Sequence, residues 1–169
     1  MPRLEARVVL VSALVVAGLA CREDAEPPTA AHLDPPLVLT ADQPLAFRQV
    51  SVGADHSCGV TTANAAYCWG GNGSGELGIG STTGPESCLG SPCSTRPVRV
   101  RGGLAFRQVS ATGRFHTCGV TTANLAYCWG RNVFGELGDG SGIDSPRPVR
   151  VAGGLAFRQV SAGSLHTCG

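Results

Sequence analysis

The sequence of 169 residues contains no lysine, and all thirteen of its basic side chains are arginine. Against twelve acidic residues they leave a formal charge of +1, and only 15% of the chain is charged. That balance supplies no basic stripe to follow a phosphate backbone, so nucleic acid is excluded as an expected partner. The arginine-only usage is read as the codon bias of a GC-rich genome rather than as selection for bidentate recognition. Two further absences matter. The uninterrupted apolar and small run at residues 8–20, VVLVSALVVAGLA, has thirteen residues, short of the about 20 that a bilayer-spanning helix needs. Cys58 and Cys68, like Cys118 and Cys128, lie ten residues apart, wider than the tight C-x2-4-C pair of the usual zinc sites, and neither a metal nor a cofactor is expected. What the chain has in abundance is glycine (24) and proline (11), the composition of a turn-rich β protein.

A phrase is written twice. CGVTTANAAYCWG at 58–70 returns as CGVTTANLAYCWG at 118–130, changed at one position in thirteen. Its flanks return too: LAFRQVS at 45–51, 104–110 and 155–161, GELGIGS at 75–81 as GELGDGS at 135–141, and RPVRV at 96–100 and 147–151. Phe47, Phe106 and Phe157 mark a period of about 50 residues, lengthened in the first unit by an insertion around PESCLGSPCS, and this lies in the range of propeller blades. Within a unit, FRQVSVG alternates as a strand, with Phe47, Gln49 and Ser51 on one face and Arg48, Val50 and Val52 on the other. SCGVTT and AAYCWG read as a hairpin, glycine-rich GNGSGELG as turns, and RPVRV as a strand opening on proline. The expected fold is therefore all-β: about two and a quarter four-stranded blades of an incomplete propeller. The third unit stops at HTCG, which is expected to be a cut in a longer array.

Eight cysteines sort by position. With a turn at Thr62, Ala63 and Asn64, residue numbers on opposed strands sum to 126, so Cys58 faces Cys68 at a distance a disulfide can bridge. Cys118 and Cys128 repeat the arrangement, and Cys88 with Cys93 would close a short loop in the insertion. The alternative recruits His56, His116 or His166 as a zinc ligand; an oxidising compartment favours disulfides. Cys168 is left over, its counterpart expected ten residues further on.

The N-terminus reads as an address. A basic start, MPRLEAR, an apolar run and small residues form a secretory signal over 1–20. Cys21, directly after it, resembles the lipidated first residue of bacterial lipoproteins, although Gly18 stands where that pattern usually has leucine. By the same resemblance Arg22 favours the outer membrane. Residues 21–44, with proline pairs at 27–28 and 35–36, read as a flexible tether. The expected location is an outer-membrane or cell-surface lipoprotein, or otherwise the secreted state.

The set VSxGxxHxCGVT, YCWGxNxxGELGxGS and PxxV closely resembles the repeats of the regulator of chromosome condensation family. The resemblance covers residues 45–169 and implies a seven-bladed β-propeller. Glu76 and Glu136 depart from the glutamine usual there, and the paired cysteines resemble the bacterial exported branch. The founding member's guanyl-nucleotide exchange is not carried over to an exported, near-neutral chain. A catalytic pairing of Glu76 with Glu136 is set aside because active sites draw different residues from different units. Trp69 and Trp129 are read as packing between blades rather than as a sugar platform. Function is sought where the copies differ: at Asp55, Arg114 and Phe115, at Phe134, and in the insertion of 82–95. The expected role is non-catalytic binding of an unidentified protein or polysaccharide at the cell surface, with a lipid anchor in the membrane. A propeller module of a larger enzyme is the alternative.

Overall fold

Alternation in FRQVSV makes β1 (Phe47–Val52), whose Phe47, Gln49 and Ser51 are half-buried while Arg48, Val50 and Val52 are exposed. The computed structural model describes residues 44–169, and no helix occurs among them. The expected signal at 1–20, Cys21 and all but the last residue of the tether lie outside the described residues. β2 (His56–Thr61) and β3 (Ala66–Gly71) form a hairpin whose register runs from His56 opposite Gly70 to Val60 opposite Ala66. Its turn needs a left-handed residue, supplied by Asn64 at φ 62°, a conformation asparagine tolerates better than most side chains. Cys58 and Cys68 lie opposite each other and are bonded.

The first sheet departs from four strands. β4 (Glu86–Cys88) and β5 (Ser91–Arg99) give it five, in the order β1-β2-β3-β5-β4. The insertion is thus only partly a surface excursion. Its second half extends the RPVRV strand upstream, with Cys93 buried opposite Gly71, and its first half folds back as an added edge strand. The second sheet has no insertion and keeps four strands in sequence order: β6 (Phe106–Ser110), β7 (His116–Thr121), β8 (Ala126–Gly130) and β9 (Ser145–Arg150). β10 (Ser161–Ala162) and β11 (Thr167–Cys168) begin a third. The architecture is an incomplete β-propeller.

The core lies between units. Cys58, Val60 and Leu77 of the first pack with Phe106, Val109, Ala111 and Trp129 of the second. A smaller cluster joins Cys118, Val120 and Leu137 to Val160 and Phe157. Each junction also carries a side-chain ladder. The Gln49 carboxamide donates to Val109 O (2.6 Å) and accepts from Val109 N–H (2.9 Å), and Ser51 Oγ accepts from Ala111 N–H (2.9 Å). Arg48, set in a bulge of β1, reaches Phe106 O at 2.9 Å. Gln108, Ser110 and Arg107 repeat these bonds onto Val160, Ala162 and Phe157 at 2.7–3.0 Å.

Candidate functional site

The loops between the third and fourth strands are organised from within. Asn72 is fully buried; its Oδ1 accepts from Leu77 N–H (3.0 Å), and its Nδ2 donates to Ser81 O and Thr83 O (2.9 Å each). Asn132 holds the second copy in the same way through Leu137 N–H. Asn72 was legible only as part of a glycine-rich turn; the burial of both asparagines comes from the loop closing over them. Gly78, at φ +67°, brings the loop against the next unit, where a Cβ would lie 2.8 Å from the Trp129 indole nitrogen. Trp129 is fully buried, its N–H donating to Glu76 O at 2.8 Å, whereas Trp69 is half-buried against Phe47.

The two glutamates do not form a pair. Glu76 Oε2 accepts from Ser74 N–H (2.9 Å) and Glu136 Oε2 from Phe134 N–H (2.7 Å), each closing its own turn. Burial holds the Glu76 carboxyl above its ordinary value, outweighing these local hydrogen bonds. Their backbone carbonyls accept from hydroxyls of the following unit, Thr117 and Thr167.

That bond fixes the state of the buried histidines. The Thr117 hydroxyl gives its one proton to Glu76 O at 2.9 Å, so in the 2.8 Å contact with His56 the donor is the ring Nε2–H. Nδ1 is then a bare nitrogen with no partner among the described residues. His116 repeats this on Thr167 at 2.9 Å, again leaving Nδ1 unpaired. Protonation would bury an N–H without an acceptor. Burial, reinforced by His116 and weakly opposed by Asp55, lowers the His56 pKa to about 4, and burial lowers that of His116 as well.

Five residues at positions that differ between the copies meet on one face. Arg114 Nε lies 3.3 Å from Asp55 Oδ2 across the junction, and its guanidinium stacks over Phe115 at 5.0 Å. Arg131 sits between two rings, 5.2 Å from Phe115 and 5.5 Å from Phe134. Arg131 was missed in the sequence although the same signal marks it: Gly71 stands at its place in the first copy. Beside this patch opens a cavity of about 530 Å³ lined by Asp55, Asn72, Glu76, Pro92, Cys93 and Phe115 among others. The insertion, closed by the Cys88–Cys93 disulfide, forms one wall and the second unit's Phe115 another. Gly70, at φ +103°, makes room for the Asp55 loop; a Cβ there would lie 2.5 Å from Asp55 O. The exposed Asp55–Arg114 pair adds little stability. Guanidinium planes layered with phenyl rings beside a recess instead provide rigid, amphipathic contact area of the kind that anchors protein interfaces.

Comparison with known proteins follows the same repeats. Residues 124–169 match the regulator of chromosome condensation (RCC1) repeat, and residues 47–76 and 106–136 match a second form of it. The chain belongs to the regulator of chromosome condensation repeat family. The RCC1 array is 32% identical over 134 residues to the ultraviolet-B receptor UVR8 of Arabidopsis thaliana, covering 78% of this chain and 29% of the receptor. To the human E3 ubiquitin-protein ligase HERC2 it is 33% identical over 122 residues, 70% of this chain and 2% of the ligase. Its fold superposes on Prp20p of Saccharomyces cerevisiae with a TM-score of 0.64 at 22% identity, covering 75% of this chain and 31% of that one. The chain spans less than a third of each of these relatives.

Proposed function

We propose that this RCC1 array is a non-catalytic binding scaffold of the cell envelope, and that a protein partner docks on the face built by Asp55, Arg114, Phe115, Arg131 and Phe134. One observation carries the reading: five side chains at positions that vary between the copies converge from separate loops onto one patch beside a cavity. Propellers of this fold do dock proteins. Prp20p was described with its binding properties to Gsp1p and histones, and its complex with Kap60 has been solved. The chemistry here is arginine and phenylalanine, which suits a polypeptide better than a polysaccharide.

Residues 1–20 serve as the export signal, Cys21 as the lipid attachment point, 21–44 as the tether and 45–169 as the scaffold in this proposal. Three disulfides within the described residues suit the oxidising compartment that export implies. Substituting Cys21→Ser should abolish incorporation of labelled fatty acid. A second reading, a propeller module within a larger enzyme, is favoured by the likeness to HERC2, of which the matched stretch is 2%.

The binding reading is tested with the full chain and the variant Phe115→Ala, Arg131→Ala, Phe134→Ala. Cross-linking in envelope extracts should recover a protein with the parent chain and at least about tenfold less with the variant. Equal recovery by both, with disulfides and circular dichroism unchanged, would remove the assignment of this face. Retention of a polysaccharide instead would replace the partner class.

A further inference from the structure

The cavity between the first two units has two carboxylates in its lining, Asp55 and Glu76, and no basic residue. Asp55 is paired with Arg114 across the junction. Glu76 has no such partner: it is only 5% exposed, its Oε2 accepts from Ser74 N–H at 2.9 Å, and no hydrogen bond among the described residues reaches its Oε1. The surface it keeps opens on the cavity. Burial raises its pKa, as expected of a carboxylate with no cation beside it. The second copy is built differently. Glu136 is 1% exposed, with its Oε1 sealed in and unpartnered. Arg131, Val133 and Phe134 stand there in place of Gly71, Gly73 and Ser74. Those three small residues line the cavity, and a Cβ at Gly73 would meet nothing within 4 Å. Much of the remaining wall is apolar, made by Pro92, the Cys88–Cys93 disulfide and Phe115. At about 530 Å³ the recess lies within the range of about 300–1,000 Å³ found for ligand sites.

We propose that this cavity takes the side chain of a lysine presented by the protein that docks on the adjoining face, an inference that rests on that docking. The aliphatic stem would lie along Pro92, the disulfide and Phe115, as lysine stems do on apolar surface. The ammonium would meet Glu76 Oε1. A carboxylate withdrawn from water is costly unless a cation pairs with it, so the recess favours a charged head over a neutral one. Lysine fits better than arginine because Glu76 Oε2 is already engaged with Ser74. A guanidinium fork takes both carboxylate oxygens, whereas an ammonium is a point charge that needs one. The insertion supplies the wall against which the stem lies, and of the two complete copies only the first carries it.

The probe is Nα-acetyl-lysine amide, titrated into the isotope-labelled full chain while the amide resonances of Gly71, Gly73 and Ser74 are followed. Nα-acetyl-norleucine amide, which keeps the stem and lacks the charge, is the control. Lysine amide should bind at least about tenfold more tightly. Glu76→Gln keeps an oxygen for Ser74 N–H and should erase that advantage, with disulfides and circular dichroism unchanged. Gly73→Val with Ser74→Phe, the residues of the second copy, should weaken lysine amide with Glu76 still in place. Arg131→Ala with Phe134→Ala, neither of which lines the cavity, should leave the titration as it was and lower recovery of the docked protein. Equal binding of the two probes by the parent chain, or undiminished binding of lysine amide by Glu76→Gln, overturns the proposal. Protein recovery that Glu76→Gln leaves unchanged overturns it too, and the docking face would still stand. A chain that binds lysine amide but recovers no protein would remove the docking face and with it the partner's lysine, assigning the cavity to a free alkylammonium.

Discussion

His56 shows how much one proton decides. Its Nε2–H is committed to Thr117 and its Nδ1 has no partner among the described residues, so only the neutral ring suits the fold. The folded pKa, about 4, lies below the unfolded value of 6.5. Between those values the unfolded chain binds a proton that the folded chain refuses. The contribution is therefore complete above pH 6.5 and is lost as the pH falls towards 4, with His116 shifted in the same direction. Glu76 works the other way, its raised pKa removing stability as the pH rises above its unfolded value. The histidine effect is isolated by comparing the parent chain with His56→Gln, which keeps a donor for Thr117. The unfolding free energy of the parent should fall relative to the variant by roughly 2–4 kcal/mol between pH 6.5 and 4. Parallel pH profiles would show that His56 is protonated without penalty.

At the scale of the element, the central hairpins were readable because strand pairing is local and periodic. A turn at Asn64 and a pitch of two residues place Cys58 opposite Cys68, and the structure bonds them ten residues apart. Constraining so short a loop in the unfolded chain is worth roughly 2–3 kcal/mol. Replacing both cysteines by alanine should lower the urea midpoint accordingly. Removing Cys88–Cys93, which closes a loop half as long and joins exposed Cys88 to buried Cys93, should leave the sheet intact and cost less. The added edge strand was not readable. Ser-Pro-Cys-Ser has no alternation, and its proline resembles a loop; it becomes strand because Gly71 offers a backbone partner to Cys93 and β4 folds back on the same residues.

Across the whole molecule, stability depends on the junctions, as in any stack of repeats. The Gln49 carboxamide satisfies both backbone groups of Val109, which is 1% exposed. Gln49→Ala leaves a buried N–H and C=O unpaired and should cost about 2 kcal/mol, read as a lower urea midpoint. The same substitution at exposed Gln159 should change monomer stability by less than about 0.5 kcal/mol. Equal costs at the two sites would show that the carboxamides do not join the units.

The period of the repeat, the strands within it, the facing cysteines and the all-β propeller class were determined by the sequence alone, because each follows from alternation, turns or self-similarity over a few dozen residues. Comparison of the copies also marked Asp55, Arg114, Phe115 and Phe134 as variable. Only the tertiary structure brought Asp55 to Arg114, 59 residues away, and set Arg131 between two phenyl rings. It likewise buried Trp129 while leaving Trp69 half-covered, and it aimed glutamine, serine and arginine at the next unit's backbone. These features depend on how one sheet is rotated and stacked against the next, and no local pattern in the chain encodes that rotation.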